Sequence, residues 1–182
     1  KYLFAGRLVE YKGLYELIKA WEIFIKENDG ELHIVGTGEL ENFVIQKSKE
    51  LKNIIYHGFV SDDDLIDIYY KSDVLVFPTY GPKHDEYFGL VVIEALASGL
   101  FVILSDEMRG IFDEFEKSGS LIYVKIDPYA IYESMVYASK NLNELKMNAR
   151  NMRKYIEENY DWKKIAEKLG DNFYRIVNEK EN

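Results

Sequence analysis

The chain lacks cysteine altogether, holds three prolines and three histidines, and carries fewer basic than acidic residues. Without thiols, disulfides and thiolate metal sites are excluded, and a reducing compartment is permitted. His33, His57 and His84 are too scattered to suggest a metal cluster. Scarce proline beside high aliphatic and aromatic content argues against disorder. Lys and Arg number 23 against 32 Asp and Glu, a net charge of −9. That balance is a poor basis for nucleic-acid binding, which shows as a basic surface patch. Long apolar runs are also missing. The longest, Leu90 to Leu104, is interrupted by Glu94, Ser98 and Gly99, short of the roughly 20 apolar residues that a membrane-spanning helix takes. No signal-peptide pattern is visible, and the chain opens on Lys1, directly into an apolar segment. It is therefore expected to be a piece of a longer polypeptide. At 182 residues it suits one domain with a substantial core.

What is present is an alternation of strand-like runs and amphipathic helices. Tyr2 to Ala5 reads as a strand ended by Gly6. Leu14 to Lys26 reads as a helix, with Leu14, Leu17, Ile18, Trp21 and Ile25 at helical spacing. Strands follow at 31–35, 54–57, 74–77, 101–104 and 121–124, with helices at 40–51, 61–71, 89–98 and 111–117 between them. Ser61 and Asp62 are N-cap candidates, and Pro78 ends the fourth strand. Three closing helices are predicted at 129–140, 143–160 and 162–177. Such alternation implies a Rossmann-like three-layer α/β fold, a parallel sheet with helices on both faces. Ligands in such sheets bind beyond the strands' C-terminal ends.

Four glycine-bearing loops fall at those ends. In the first, Gly6-Arg7-Leu8-Val9-Glu10-Tyr11-Lys12-Gly13, Arg7 and Lys12 either clamp a diphosphate, Arg as a planar fork and Lys as a point charge, or sit on a solvated loop. Gly36-Thr37-Gly38 either reverses the backbone or lets a ligand approach it. Gly58-Phe59-Val60 either offers backbone groups and an apolar surface to a nucleobase or tucks Phe59 into the core. The fourth loop carries Glu86 and runs through Phe88-Gly89-Leu90 into an apolar helix whose single charge is Glu94. Free amides at a helix start suit a phosphate. A carboxylate on so apolar a helix is expected to be shielded from water and to need hydrogen-bond donors. Either a ligand supplies them, or Glu94 pairs with Arg7 or Lys12; for Glu86, a ligand role and a surface charge stand level. Asp62-Asp63-Asp64 reads as a helix cap with favourable dipole charges. His84 and Asp85 read as exposed loop residues, His33 and His57 as structural.

Taken together, these residues resemble the C-terminal, donor-binding domain of a retaining GT-B glycosyltransferase, glycosyltransferase family 4, the glycosyl transferases group 1. The likeness runs from Gly6 to about Val177. Gly6, Arg7, Lys12 and Gly13 match the family's first loop, Gly36 and Gly38 its glycine turn, and Gly58 its base-side glycine. Asp73 and Pro78 bracket the strand before the acidic loop. Glu86 and Glu94 match the family's two glutamates separated by seven residues, and Tyr160-Asp161-Trp162 its last helix region. Two departures stand out: Tyr87 where the family usually has Gly, which bears on donor choice, and Phe101 in place of Pro, a structural change.

The resemblance implies a role for each matching residue. Arg7 and Lys12 would hold the donor's diphosphate and neutralise the leaving group. The amides near Gly89 and Leu90 would meet phosphate or sugar. Glu94 would hold the ribose hydroxyls, and Glu86 those of the transferred sugar. No cofactor or metal is required on this reading. The implied activity is transfer of a hexose, of mannose or glucose type, from a UDP- or GDP-sugar. The saccharide or lipid-linked acceptor would be held by an N-terminal domain absent from this chain, so the isolated chain is expected to be inactive. A cytoplasmic location is expected, with peripheral membrane attachment through the missing domain. Two other readings keep the fold: a non-catalytic sugar-nucleotide-binding module, and a GT-B-like sugar-nucleotide epimerase.

Overall fold

A computed structural model describes residues 1–81 and 88–179, the side chains as far as residue 174. The six predicted strands form one sheet: β1 (Tyr2–Ala5), β2 (Leu32–Val35), β3 (Ile54–Gly58), β4 (Val74–Phe77), β5 (Phe101–Ser105) and β6 (Leu121–Val124). Their order is β3-β2-β1-β4-β5-β6, and every neighbouring pair is parallel. β1, β4 and β5 are buried along their whole length, as expected of central strands covered on both faces. Phe101 is one of these core residues, aligned with Val74 of β4.

Nine α-helices are described: α1 (Leu14–Phe24), α2 (Glu41–Glu50), α3 (Asp62–Lys71), α4 (Leu90–Ala97), α5 (Asp113–Lys117), α6 (Pro128–Lys140), α7 (Leu142–Asn151), α8 (Arg153–Asn159) and α9 (Trp162–Glu179). Right-handed crossovers put α1 and α2 on one face and α3, α4 and α5 on the other. α6 returns to pack on α1, where Tyr2 donates from its hydroxyl to the Met135 carbonyl at 2.8 Å. Ser61 caps α3, its hydroxyl oxygen accepting from the Asp64 amide, and this accounts for the acidic run that follows.

The predicted helix 143–160 is two helices. Its apolar positions Leu145, Ala149, Met152 and Ile156 keep helical spacing, and no Gly or Pro interrupts them. At the junction the Met152 amide donates to Ala149, three residues back, a tighter turn than the α-helix makes. Tyr155 and Tyr160 then pack on the Phe115 ring at 5.9 and 5.8 Å. That packing partner lies far away in sequence, so the local pattern carries no sign of the break.

A candidate nucleotide-sugar site at the C-terminal rim of the sheet

β1 and β4 are neighbours, but the chain leaves them in opposite directions, β1 towards β2 and β4 towards β5. A crevice opens at such a switch point, and the glycine loops gather around it. The Gly6 amide donates to Val35, Leu8 to Thr37, and Gly36 to Gly58, at 3.1, 2.9 and 2.8 Å. Tyr80, beyond β4, donates to the Tyr11 carbonyl at 2.7 Å. Loops after four strands are thus laced into one surface.

A Cβ on Gly36 would lie 1.9 Å from the Gly6 carbonyl oxygen, and one on Gly38 would lie 2.5 Å from that of Leu8. What these glycines admit is the neighbouring loop's backbone, and both sit at positive φ. For Phe59 the buried option fails: the ring is 84% exposed. It stands beside Gly58 at the sheet's rim, while Val60 is half-buried against the core.

Arg7 and Lys12 do converge. Arg7 is exposed, and its guanidinium donates to the Tyr11 hydroxyl. The Lys12 ammonium lies 5.4 Å from the Tyr11 ring centre and 4.7 Å from that of Phe77. Tyr11 therefore bridges the two cations. Lys12 is only 7% exposed. Burial first, and then the charge of Arg7, lowers its pKa to about 8. A lysine so placed loses hydration of its charged form.

α4 begins at Gly89, which is buried with φ 62°, and no side chain among the described residues caps it. Phe88 packs on Phe112 at 5.4 Å and holds the entry to the helix. The expected shielding of Glu94 is not found. Val92, Ala95 and Leu96 are buried, but Leu90 and Glu94, one turn apart on the same stripe, are both exposed. An all-apolar helix suggested burial all round; the fold leaves this stripe open. Glu94 accepts a hydrogen bond from the Tyr69 hydroxyl at 2.9 Å. Burial and the Glu94 charge push the Tyr69 phenol far above its ordinary range, so it stays a donor. Glu86, with His84, Asp85 and Tyr87, lies outside the described residues. Among those described, no cluster of His, Asp or Glu could hold a metal, and no helix is long and apolar enough to cross a membrane.

Sequence reasoning gave no role to Tyr11 or Tyr69. Tyr11 was within reach, lying between the two cations it joins. Tyr69 sits in α3, with no motif linking it to Glu94.

The strand order defines the class, a Rossmann-like α/β domain, with Arg7 and Lys12 on the loop at its switch point. The chain belongs to the glycosyl transferases group 1 family, whose model matches residues 1–159. It is 31% identical over 184 aligned positions to an uncharacterized glycosyltransferase of Methanocaldococcus jannaschii, covering 97% of this chain and 45% of that protein. Among solved structures it is similar to sucrose-phosphate synthase from Thermosynechococcus elongatus, with TM-score 0.80, 22% identity, and coverage of 98% and 46% of the two chains. It is similar also to Anabaena HepE, crystallised with UDP-glucose, at TM-score 0.76 and 19% identity, covering 96% and 48%. The chain spans about half the length of the curated relatives it matches.

Proposed function

We propose that this chain is the donor-binding half of a retaining hexosyltransferase. It takes a nucleotide-diphospho-sugar, and the longer protein transfers a hexose of glucose or mannose type to an acceptor. Arg7 and Lys12 hold the diphosphate and meet the charge that develops on it as the glycosidic bond breaks, a stabilisation that acts most strongly away from water. The amides at Gly89 and Leu90 add helix-end donors to the same phosphates or to the sugar. Glu94, oriented by Tyr69, accepts from the ribose hydroxyls. Gly58, Phe59 and Val60 receive the base, with Phe59 as an exposed face for it to rest on. Gly6, Gly36 and Gly38 keep the loops close enough to form the floor. Glu86, outside the described residues, is assigned the hydroxyls of the transferred sugar. Two cations and a helix end face the diphosphate, so the reading calls for no metal.

One observation carries this proposal: a buried lysine and an exposed arginine meet around Tyr11 at the switch point. The Arg7 charge adds to burial in lowering the Lys12 pKa, and a dianion at this loop would be attracted to both cations. The similarity to a protein crystallised with UDP-glucose supports a nucleotide sugar as that anion. Calorimetry of the chain with UDP- and GDP-sugars tests the reading. Binding of at least one is expected, and its loss in the Arg7→Ala/Lys12→Ala double variant. A folded sample that binds neither nucleotide overturns it.

A further inference from the structure

Beside the cationic clamp, the same loop turns acidic and aromatic. Glu10, Tyr11, Tyr15, Glu16 and Tyr80 line a cleft of about 330 Å³. Glu10 and Tyr11 follow β1, Tyr15 and Glu16 open α1, and Tyr80 follows β4, so the cleft lies on the rim that carries Arg7 and Lys12. Its walls are held in place. The Tyr15 ring packs on Phe43 at 4.7 Å, and Tyr11 is engaged by Arg7. Tyr80 is tied to the Tyr11 carbonyl through its own amide. Glu10, Glu16 and Glu107 all face the Tyr80 phenol closely enough to raise its pKa, after burial itself.

The chemistry of this lining selects its ligand. A second diphosphate is excluded, because two carboxylates would repel it. Aromatic rings offer broad apolar faces with a polar tip, and each carboxylate accepts hydrogen bonds at two oxygens. Rings that cover C–H faces beside oxygens that take paired hydroxyl protons suit a neutral, polyhydroxylated molecule. Glu16 stands in the first turn of α1, where the helix dipole by itself favours an acid. That explains one carboxylate; it does not explain three phenols around the same cavity.

We infer that the cleft of Glu10, Tyr11, Tyr15, Glu16 and Tyr80 is a saccharide subsite on the acceptor side of the donor pocket. This rests on the donor-domain reading for the word acceptor, but its binding chemistry stands apart from it. Tyr11 joins the two sites, with Arg7 and Lys12 on one side and the acidic cleft on the other. Part of the acceptor's recognition thus belongs to this half of the enzyme.

The test uses the 182-residue chain with its tyrosine rings isotope-labelled, Tyr15 and Tyr80 being assigned through Tyr15→Phe and Tyr80→Phe. Methyl α-glucoside, methyl α-mannoside and maltose are titrated to tens of millimolar, and UDP and GDP are titrated separately. Expected is a saturable shift of the Tyr15 and Tyr80 ring signals by at least one saccharide. Glu16→Gln or Glu10→Gln should weaken that binding about tenfold, with UDP affinity changed less than about twofold. UDP binding without any saccharide response at these rings overturns the inference and leaves the donor reading standing. Saccharide shifts that both glutamine variants leave untouched overturn it as well. Saccharide binding without binding of either UDP or GDP keeps the subsite and removes the donor reading.

Discussion

Lys12 makes the proposed diphosphate site sensitive to pH. Its ammonium is buried over two aromatic rings beside Arg7, and its pKa is lowered to about 8. Free protein at pH 7 therefore carries the charge on about nine-tenths of molecules, and at pH 9 on about one-tenth. A bound diphosphate favours the charged form and raises the pKa in the complex. Affinity for UDP should then fall about tenfold between pH 7 and pH 9, close to 1.4 kcal/mol. Below pH 7 the lysine gives no further gain. Calorimetry in buffers of differing ionisation enthalpy should also register proton uptake on binding near pH 8. Lys12→Met should bind more weakly at pH 7 and lose the decline above it. A wild-type affinity that stays level from pH 7 to pH 9 would refute the reasoning. So would an equal decline in Lys12→Met, because the titrating group would then lie elsewhere.

Two further outcomes concern stability. Gly36→Ala should destabilise the chain by about 3 kcal/mol or more, since its Cβ would lie 1.9 Å from the Gly6 carbonyl oxygen at φ +125°. Gly170→Ala, within α9 with open space around it, should instead stabilise by about 0.5–1 kcal/mol; paired thermal melts read both. The second outcome involves His33 and His57, whose rings contact at 2.9 Å across β2 and β3. Both have pKa values lowered from 6.5, chiefly by burial; Glu31 counters the shift at His33, and the charge of His33 adds to it at His57. The unfolded chain then binds more protons than the folded one, so stability is full above 6.5 and falls as pH drops through it. The melting temperature should fall between pH 7 and about 5.5, and His57→Gln should reduce that slope; an unchanged slope would rule this pair out as its source.

The resemblance to a glycosyltransferase donor domain was legible because glycines, charges and capping residues recur at fixed distances along the chain. Arg7 and Lys12 lie in one loop, and that loop is short enough to deliver both to one place. Glu94 was legible as an unusual charge, yet its environment was misjudged. Val92, Ala95 and Leu96 beside it are buried, and only the packed helix shows that the stripe of Leu90 and Glu94 is open.

Local sequence determined where strands and helices run, since their periods are written in nearest neighbours, and it determined that the loops at one rim carry glycine and charge. Tertiary structure alone decided the contacts that join distant segments. These are Tyr69 meeting Glu94, Tyr160 packing on Phe115, the Gly6 carbonyl filling the space beside Gly36, and Tyr80 closing a cleft with Glu10 and Glu16. The physical reason is range. Backbone propensity acts over a few residues, whereas the hydration lost by Lys12 and the space left beside Gly36 depend on side chains and backbone that only folding brings near.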